Sequence, residues 1–251
     1  MKGLGLITVV IFAVSVFAQN PPAAPPAPTP GPQQGLSSLP NTGKATVDMT
    51  GVWTGIGTGQ TPAGLKNTPW PADPGFTQAG SAKFAATDKT KDPVATRCVP
   101  PGVARLMNAD SQLPIEIIQS GQSMTVLFAN TYQARRIYWD GRGRLGLYDY
   151  WPPTYTGHSV ARWENDTLVV ETDRLNDKVW LNDAGLPQSA QLRITERFRK
   201  IEDGRVLHSR MTFEDPATYT KPLVVDRYWV STPNAELGEP SYACQERRSR
   251  S

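Results

Sequence analysis

The feature that most constrains the fold is a period-two alternation of apolar and polar residues, which begins at Ile115 and continues toward the end of the chain. Short runs rich in Val, Ile, Thr, Tyr and Trp are separated by turn dipeptides, among them Asn165-Asp166 and Asp203-Gly204. This alternation is typical of strands with one buried face, and Asp-Gly suits the positive φ angles of a tight hairpin turn. Together with the run MTGVWTGI near the domain start, it predicts about nine strands and no convincing amphipathic helix.

An open meander of this length would leave two edge strands with unpaired backbone groups, and closing the sheet removes both edges. We therefore expect an all-β fold, in which an antiparallel meander forms a closed or nearly closed barrel. Residues 60–104 are rich in Pro and Gly and are expected to wrap the barrel as irregular loops.

The N-terminal region predicts two segments outside the barrel. Residues 1–18 contain a Lys, an apolar run and then the small residues Val16 and Ala18, which is the pattern of a signal peptide. The run is shorter than the roughly 20 residues of a membrane-spanning helix. Residues 19–44 are rich in Pro and Ala and predict a disordered linker. We expect a periplasmic or secreted protein with one domain over residues 45–251 and no transmembrane segment after processing.

The charge pattern and the missing motifs exclude several classes of function. The net charge is +3 and is spread along the chain, so nucleic acid is not an expected partner. The sequence contains neither a Gly-x-Ser-x-Gly motif nor a Gly-rich phosphate loop, and its two histidines are far apart. We expect no metal and no cofactor. The expected partner is an unidentified small molecule, and the oligomeric state is left open.

The Asp203-Gly204 turn fixes the cross-strand partners of the hairpin around it. It places Glu196 opposite Met211 on a mostly apolar face. A buried carboxylate is costly unless it is paired or protonated. Glu196 is therefore expected either to form a structural ion pair with an arginine or to be a catalytic group with a raised pKa.

The Asn165-Asp166 turn places His158 opposite Asp173 and near Glu171. A carboxylate facing an imidazole is expected to raise the histidine pKa above about 6.5, and the pair would suit a general base. An ordinary surface pair has the same pattern. The candidate catalytic residues are His158, Glu171, Asp173 and Glu196.

Aromatic residues crowd the Pro-rich segment just before His158. On a loop at the barrel mouth they would form a stacking platform for a sugar ring or an aromatic ligand, or they would plug the barrel end. The motif DGRGR offers arginines to an anionic ligand, or is simply a hairpin turn. The candidate ligand-binding residues are Arg136, Asp140, Arg142, Tyr148, Tyr150, Trp151, Tyr155 and Trp163.

Several motifs resemble an uncharacterised family of exported β-rich proteins that is abundant in acidobacteria and related bacteria. They are RCVPPGVARLM, QARRIYWDGR, GHSVARWENDTLVVETDRLND, ERFRKIEDG, DPATYTKP and a terminal ACQE. The resemblance covers most of the chain from about Thr50 and implies an exported β-rich domain, without an activity. Family members usually carry an apolar residue at the position of Asp173, which favours Glu171 as the acid near His158. A looser analogy to lipocalin-like barrels rests on the motif GVWTG before a meander.

Three functional hypotheses follow from these patterns. The first is an exported barrel that binds a small, partly apolar, aromatic or carbohydrate-like ligand. The second is a lyase, isomerase or hydrolase that uses His158 as acid or base on a small carbohydrate or aromatic substrate. The third is a structural envelope protein without a ligand. We favour the first.

Two cysteines in an exported chain predict one disulfide between Cys98 and Cys244, which would tie the start of the domain to its end. In the chain-entropy model a loop of this length contributes about 4–5 kcal/mol. The alternatives are two free thiols or a metal pair. Mass spectrometry of peptides from the non-reduced, exported protein should find the two cysteines linked. Recovery of both as free thiols would contradict the prediction.

Overall fold

A computed structural model describes residues 45–129, 133–141 and 152–238. Within these residues nine strands form a closed barrel, in which each strand pairs with its neighbours in chain order and the first pairs with the last. The strands are β1 (Gly51–Gly55), β2 (Pro114–Ser120), β3 (Ser123–Phe128), β4 (Ala134–Tyr138), β5 (His158–Glu164), β6 (Thr167–Asp173), β7 (Arg193–Ile201), β8 (Val206–Glu214) and β9 (Leu223–Ser231). The predicted all-β closed barrel is confirmed.

The barrel departs from a purely antiparallel meander at one place, between β4 and β5. Ile137 pairs with Ser159 and Tyr138 with Val160 in parallel orientation, whereas the other neighbouring strands are antiparallel. Strand directions cannot alternate all the way round a ring with an odd number of strands, so nine strands close only with a parallel pair. A parallel pair cannot be joined by a tight hairpin turn and needs a longer connection; nineteen residues, 139–157, separate β4 from β5 in the sequence.

The two predicted hairpins have the expected register. His158 pairs with Asp173, and Glu196 pairs with Met211. In the β7–β8 turn Asp203 and Gly204 have φ angles of +54° and +80°, as the dipeptide predicts. Four residues rather than two separate these strands, but the loop is centred on the same dipeptide and the pairing is unchanged.

The expectation of irregular loops over residues 60–104 is wrong in part, because the segment contains short helices. They are α1 (Gln78–Ala85), α2 (Pro93–Arg97) and α3 (Val103–Leu106). The side chain of Thr77 caps α1 and that of Asp92 caps α2, so local hydrogen bonds form helices too short to show an amphipathic pattern. No helix in the described ranges is both long and apolar enough to cross a membrane.

Large side chains fill the barrel interior. The largest buried ones include Trp53, Trp139, Trp229, Phe198 and Phe213. Buried leucines of the β6–β7 connection and buried residues of the β1–β2 connection join the same core. Side chains therefore fill much of the described interior, as they do in small barrels.

A polar network crosses this core. Arg135 of β4 forms a bidentate pair with Glu196 of β7: Nη1 donates to Oε1 at 3.0 Å, and Nη2 donates to Oε2. The same guanidinium donates to Thr172 Oγ1 at 2.8 Å and to Ser159 Oγ at 3.2 Å. All four side chains are buried. The prediction that Glu196 meets an arginine is confirmed.

A second buried arginine lies where the barrel closes. β1 pairs with β9 through only three residue pairs. Beyond these pairs, the loop residue Thr68 forms hydrogen bonds with the backbone of β9. Its N–H donates to Asp226 O at 3.1 Å, and its hydroxyl accepts from Asp226 N at 2.7 Å. Inside the barrel, Arg227 donates to Thr68 O at 2.6 Å and to Asn108 Oδ1 at 3.0 Å. This arginine therefore anchors the loop that completes the ring.

Replacing Glu196 by Gln would leave the buried Arg135 without its counter-charge. Loss of one member of a buried ion pair costs about 3–5 kcal/mol, and we expect a decrease of that size in the free energy of unfolding measured in urea. Glu164→Gln is the matched control, because Glu164 pairs with Arg162 and Arg197 at the surface and should cost at most about 1 kcal/mol. Similar losses in both variants would contradict the prediction.

Candidate functional site

A row of charged side chains crosses the outer surface of four neighbouring strands. His158 on β5 lies opposite Asp173 on β6, and Arg193 on β7 lies opposite Glu214 on β8. The β6–β7 register places Asp173 next to Arg193, so the row is continuous. Successive residues of a strand point to opposite faces, and these four side chains therefore lie on the face opposite the packed interior.

A cleft of about 730 Å³ lies along this row, between the β6–β7 and β8–β9 connections. Its volume falls within the range of about 300–1,000 Å³ that is usual for small-molecule sites. Charged side chains line it beside apolar groups: Asp173, Arg174, Arg193, Glu214 and Lys221, together with Pro153, Leu192, Pro216, Tyr219 and Pro222. The cleft thus offers both hydrogen-bonding groups and apolar surface.

Hydrogen bonds tie the two connections that flank the cleft. The carboxylate of Asp215 accepts from Ser189 N at 2.7 Å and from Ser189 Oγ at 2.6 Å. The hydroxyl of Tyr219 donates to Pro187 O at 2.7 Å. Burial, reinforced by Asp215, raises the pKa of Tyr219, so this phenol stays a neutral donor. These hydrogen bonds therefore hold the two connections together on either side of the cleft.

Two charged side chains in the cleft have no polar partner in the described part of the chain. Neither Arg193 nor Glu214 forms a side-chain hydrogen bond or ion pair there, although they are cross-strand neighbours. Arginines farther along the same strands are paired: Arg162 with Glu171, Arg197 with Glu164, Arg199 with Asp166, and Arg210 with Asp226. The cleft residues therefore keep their hydrogen-bonding capacity for a ligand.

A smaller cavity of about 330 Å³ adjoins the cleft and shares Asp173, Arg193 and Glu214 with it. His158 and Glu171 also line this cavity. The structure thus brings together three of the four predicted catalytic residues, His158, Glu171 and Asp173. Glu171 is already paired with Arg162.

The fourth predicted catalytic residue, Glu196, lies on the inner face of the barrel wall in its pair with Arg135. It lines neither cavity. The opposite orientation of Glu196 and His158 follows from the strand register, so the structure does not bring these two residues together.

The expected rise in the pKa of His158 is wrong. Burial lowers this pKa, Asp173 raises it by less, and Arg174 lowers it further. The imidazole is partly buried and stacks on the ring of Tyr138, with 6.4 Å between centroids. The loss of hydration of the cation outweighs the single carboxylate, so the ring is neutral at neutral pH and can accept a proton.

The predicted ligand-binding residues do not form one site among the described residues. Arg136 is exposed on the outer face of β4, whereas Trp163 points inward and meets Trp139 edge to face at 6.0 Å. Asp140 and Tyr155 are partly buried, and neither lines a cavity described above. Four others, Arg142, Tyr148, Tyr150 and Trp151, lie outside the described residues.

Of the two cysteines, Cys98 follows α2 with a φ angle of +55°. Cys244 lies outside the described residues, so their pairing stays a prediction.

Sequence reasoning missed the main groups of the cleft. The register of the Asp203-Gly204 hairpin also implies that Arg193 lies opposite Glu214, but the alternation of polar and apolar residues gives no sign that this polar face borders a cleft. Lys221 and Tyr219 gave no periodic signal, because they lie in a connection between strands. In the described ranges, no group of three or more His, Cys, Asp or Glu residues could hold a metal ion.

No protein-family model matches the chain, and no curated protein matches it.

NMR titration of the His158 ring should give a pKa below 6.5. The unfolded chain then binds this proton more readily than the folded chain, so the free energy of unfolding should fall as the pH decreases through about 6.5. His158→Gln should reduce that fall. His208→Gln assigns the two imidazole signals and serves as the control. A pKa of 6.5 or higher would show that Asp173 outweighs burial.

Proposed function

We propose that the protein is an exported β-barrel that binds a small carbohydrate-like ligand in the cleft. The observation that carries the proposal is the combination of unpaired charged groups with apolar surface. Arg193 and Glu214 offer donors and acceptors without partners in the described chain, while the exposed rings of Pro153, Pro216 and Pro222 add apolar surface. A sugar is complementary to such a site, because it presents hydroxyl groups at its rim and C–H groups on its faces.

The fixed shape of the cleft also supports binding. Asp215 and Tyr219 hold the flanking connections through side-chain hydrogen bonds to Ser189 and Pro187. A ligand that enters a preformed site does not have to order these loops, and its affinity is not reduced by that cost. The signal-peptide pattern of residues 1–18 supports export.

A second candidate function is a lyase, isomerase or hydrolase with His158 as acid or base. It is favoured by the lowered pKa of this imidazole and by its position in the smaller cavity, next to Asp173. A general base must be unprotonated at the working pH before it can accept a proton. A ligand held in the cleft by Arg193 would lie beside this cavity, because the guanidinium lines both.

A thermal-shift screen of the processed protein against neutral, amino and acidic sugars tests the proposal, followed by calorimetry on the hits. A ligand at 100 times its Kd should stabilise the fold by about 2.7 kcal/mol. Glu214→Gln should weaken binding about tenfold or more, since it removes a charged acceptor worth about 1.5–3 kcal/mol. Glu164→Gln, whose carboxylate lies on the same outer surface but outside the cleft, should leave the affinity unchanged.

Chromatography of the ligand after incubation separates the two candidate functions. Recovery of intact ligand supports binding. Conversion that His158→Gln abolishes supports the enzyme. If no sugar stabilises the protein, the proposal is wrong and the structural envelope role is favoured.

A further inference from the structure

We infer that the cleft selects an acidic sugar, one that carries a carboxylate, over a neutral sugar of the same size. The inference rests on the binding function proposed above and identifies its ligand class. It follows from the charges that line the cleft and from which of them are already paired.

Arg193 is the central cation. It lines both the cleft and the smaller cavity, between Asp173 and Glu214 on the neighbouring strands. Its guanidinium makes no hydrogen bond or ion pair with another described residue, even with these two carboxylates beside it. A planar guanidinium binds a carboxylate through two parallel hydrogen bonds, and this one keeps that capacity.

Lys221 supplies a second cation from the β8–β9 connection. Its nearest acidic partner is Asp73, with 3.8 Å between Nζ and Oδ2, and both side chains are exposed. An exposed pair at this distance contributes little, so the ammonium group can turn to a ligand at small cost. The two cations therefore approach the cleft from a strand and from a loop.

The acidic side chains of the cleft differ in whether their carboxylates can still accept hydrogen bonds from a ligand. Asp215 is 2% exposed, and both its carboxylate oxygens already accept hydrogen bonds from Ser189. Asp173 and Glu214 are exposed and remain as acceptors for hydroxyl groups. A simple dicarboxylate would place its charges near these two carboxylates without donors to satisfy them. A sugar acid supplies hydroxyl donors for the carboxylates and an anion for the cations.

A neutral sugar would give Arg193 and Lys221 no anionic acceptor within the cleft for their hydrogen bonds. Its hydroxyl groups would accept weaker hydrogen bonds from Arg193 than a carboxylate does, because charge-assisted hydrogen bonds are roughly twice as strong as neutral ones. The preference for the acid should therefore depend on the charge of the ligand and on screening by salt.

The test compares galacturonic acid, its methyl ester and galactose, alone and as oligomers of equal length, by calorimetry with the processed protein. The acid should bind at least tenfold more tightly than the ester or the neutral sugar at low ionic strength, and the difference should shrink as salt is added. Arg193→Gln should reduce the affinity for the acid to that for the ester. Arg197→Gln is the matched control, since Arg197 lies on the same strand and pairs with Glu164.

Circular dichroism and thermal unfolding first establish that each variant is folded. Lys221→Gln is a second variant at a loop position, and it should also reduce the preference for the acid. Equal affinity for the acid, the ester and galactose would overturn the inference and leave the proposed binding function intact. Absence of binding by all of these sugars and by the wider panel would overturn both. A preference for the acid that survives in both folded variants would also overturn the inference.

Discussion

The barrel depends on the pair between Arg135 and Glu196. The parallel β4–β5 pair has only two paired residues on each strand. Arg135 bridges it by donating to Ser159 on β5, and it continues to Thr172 on β6 and Glu196 on β7. A buried ion pair is often no more stabilising than well-packed apolar side chains. Here the pair favours one strand register over others, because the hydrogen bonds of the guanidinium are all formed only when β4, β5, β6 and β7 are in register.

The same strand register determines which side chains lie on the outer surface. Ser159 and Thr172 point inward to the buried arginine, and the residues next to them, His158 and Asp173, point outward to the cavities. Side chains alternate between the two faces of a strand. If one strand slipped by one residue, its members of the buried network would point outward and its charged outer residues would point into the barrel. The positions of the candidate functional groups are therefore fixed from inside the barrel, although the two sets of side chains are on opposite faces.

Local signals made part of this predictable from the sequence. Asn165-Asp166 and Asp203-Gly204 fixed two hairpins, and with them the burial of Glu196. The identity of its partner was not predictable, because β4 has no comparable turn signal to show which of Arg135 and Arg136 points inward. The parallel pairing of β4 and β5 follows from the odd number of strands in the closed barrel. No local sequence pattern indicates that number exactly, so the parallel pair was not predictable. The partner of His158 followed from register, but the sign of its pKa shift depended on burial, which adjacent sequence does not reveal.

The cleft of the proposed function lies on the outer face of the barrel and not in its interior. With the core occupied by tryptophans and by Arg135 and Arg227, the described polar groups that remain without partners near a cavity are on the outer face, beside connections held by Asp215 and Tyr219. Exposed charges such as Arg193 contribute little to the stability of the fold, so a substitution at such a position should leave the barrel intact. The groups of the proposed site and the groups of the core are therefore different side chains of the same strands, because alternate residues of β5, β6 and β7 face the cleft and the barrel interior.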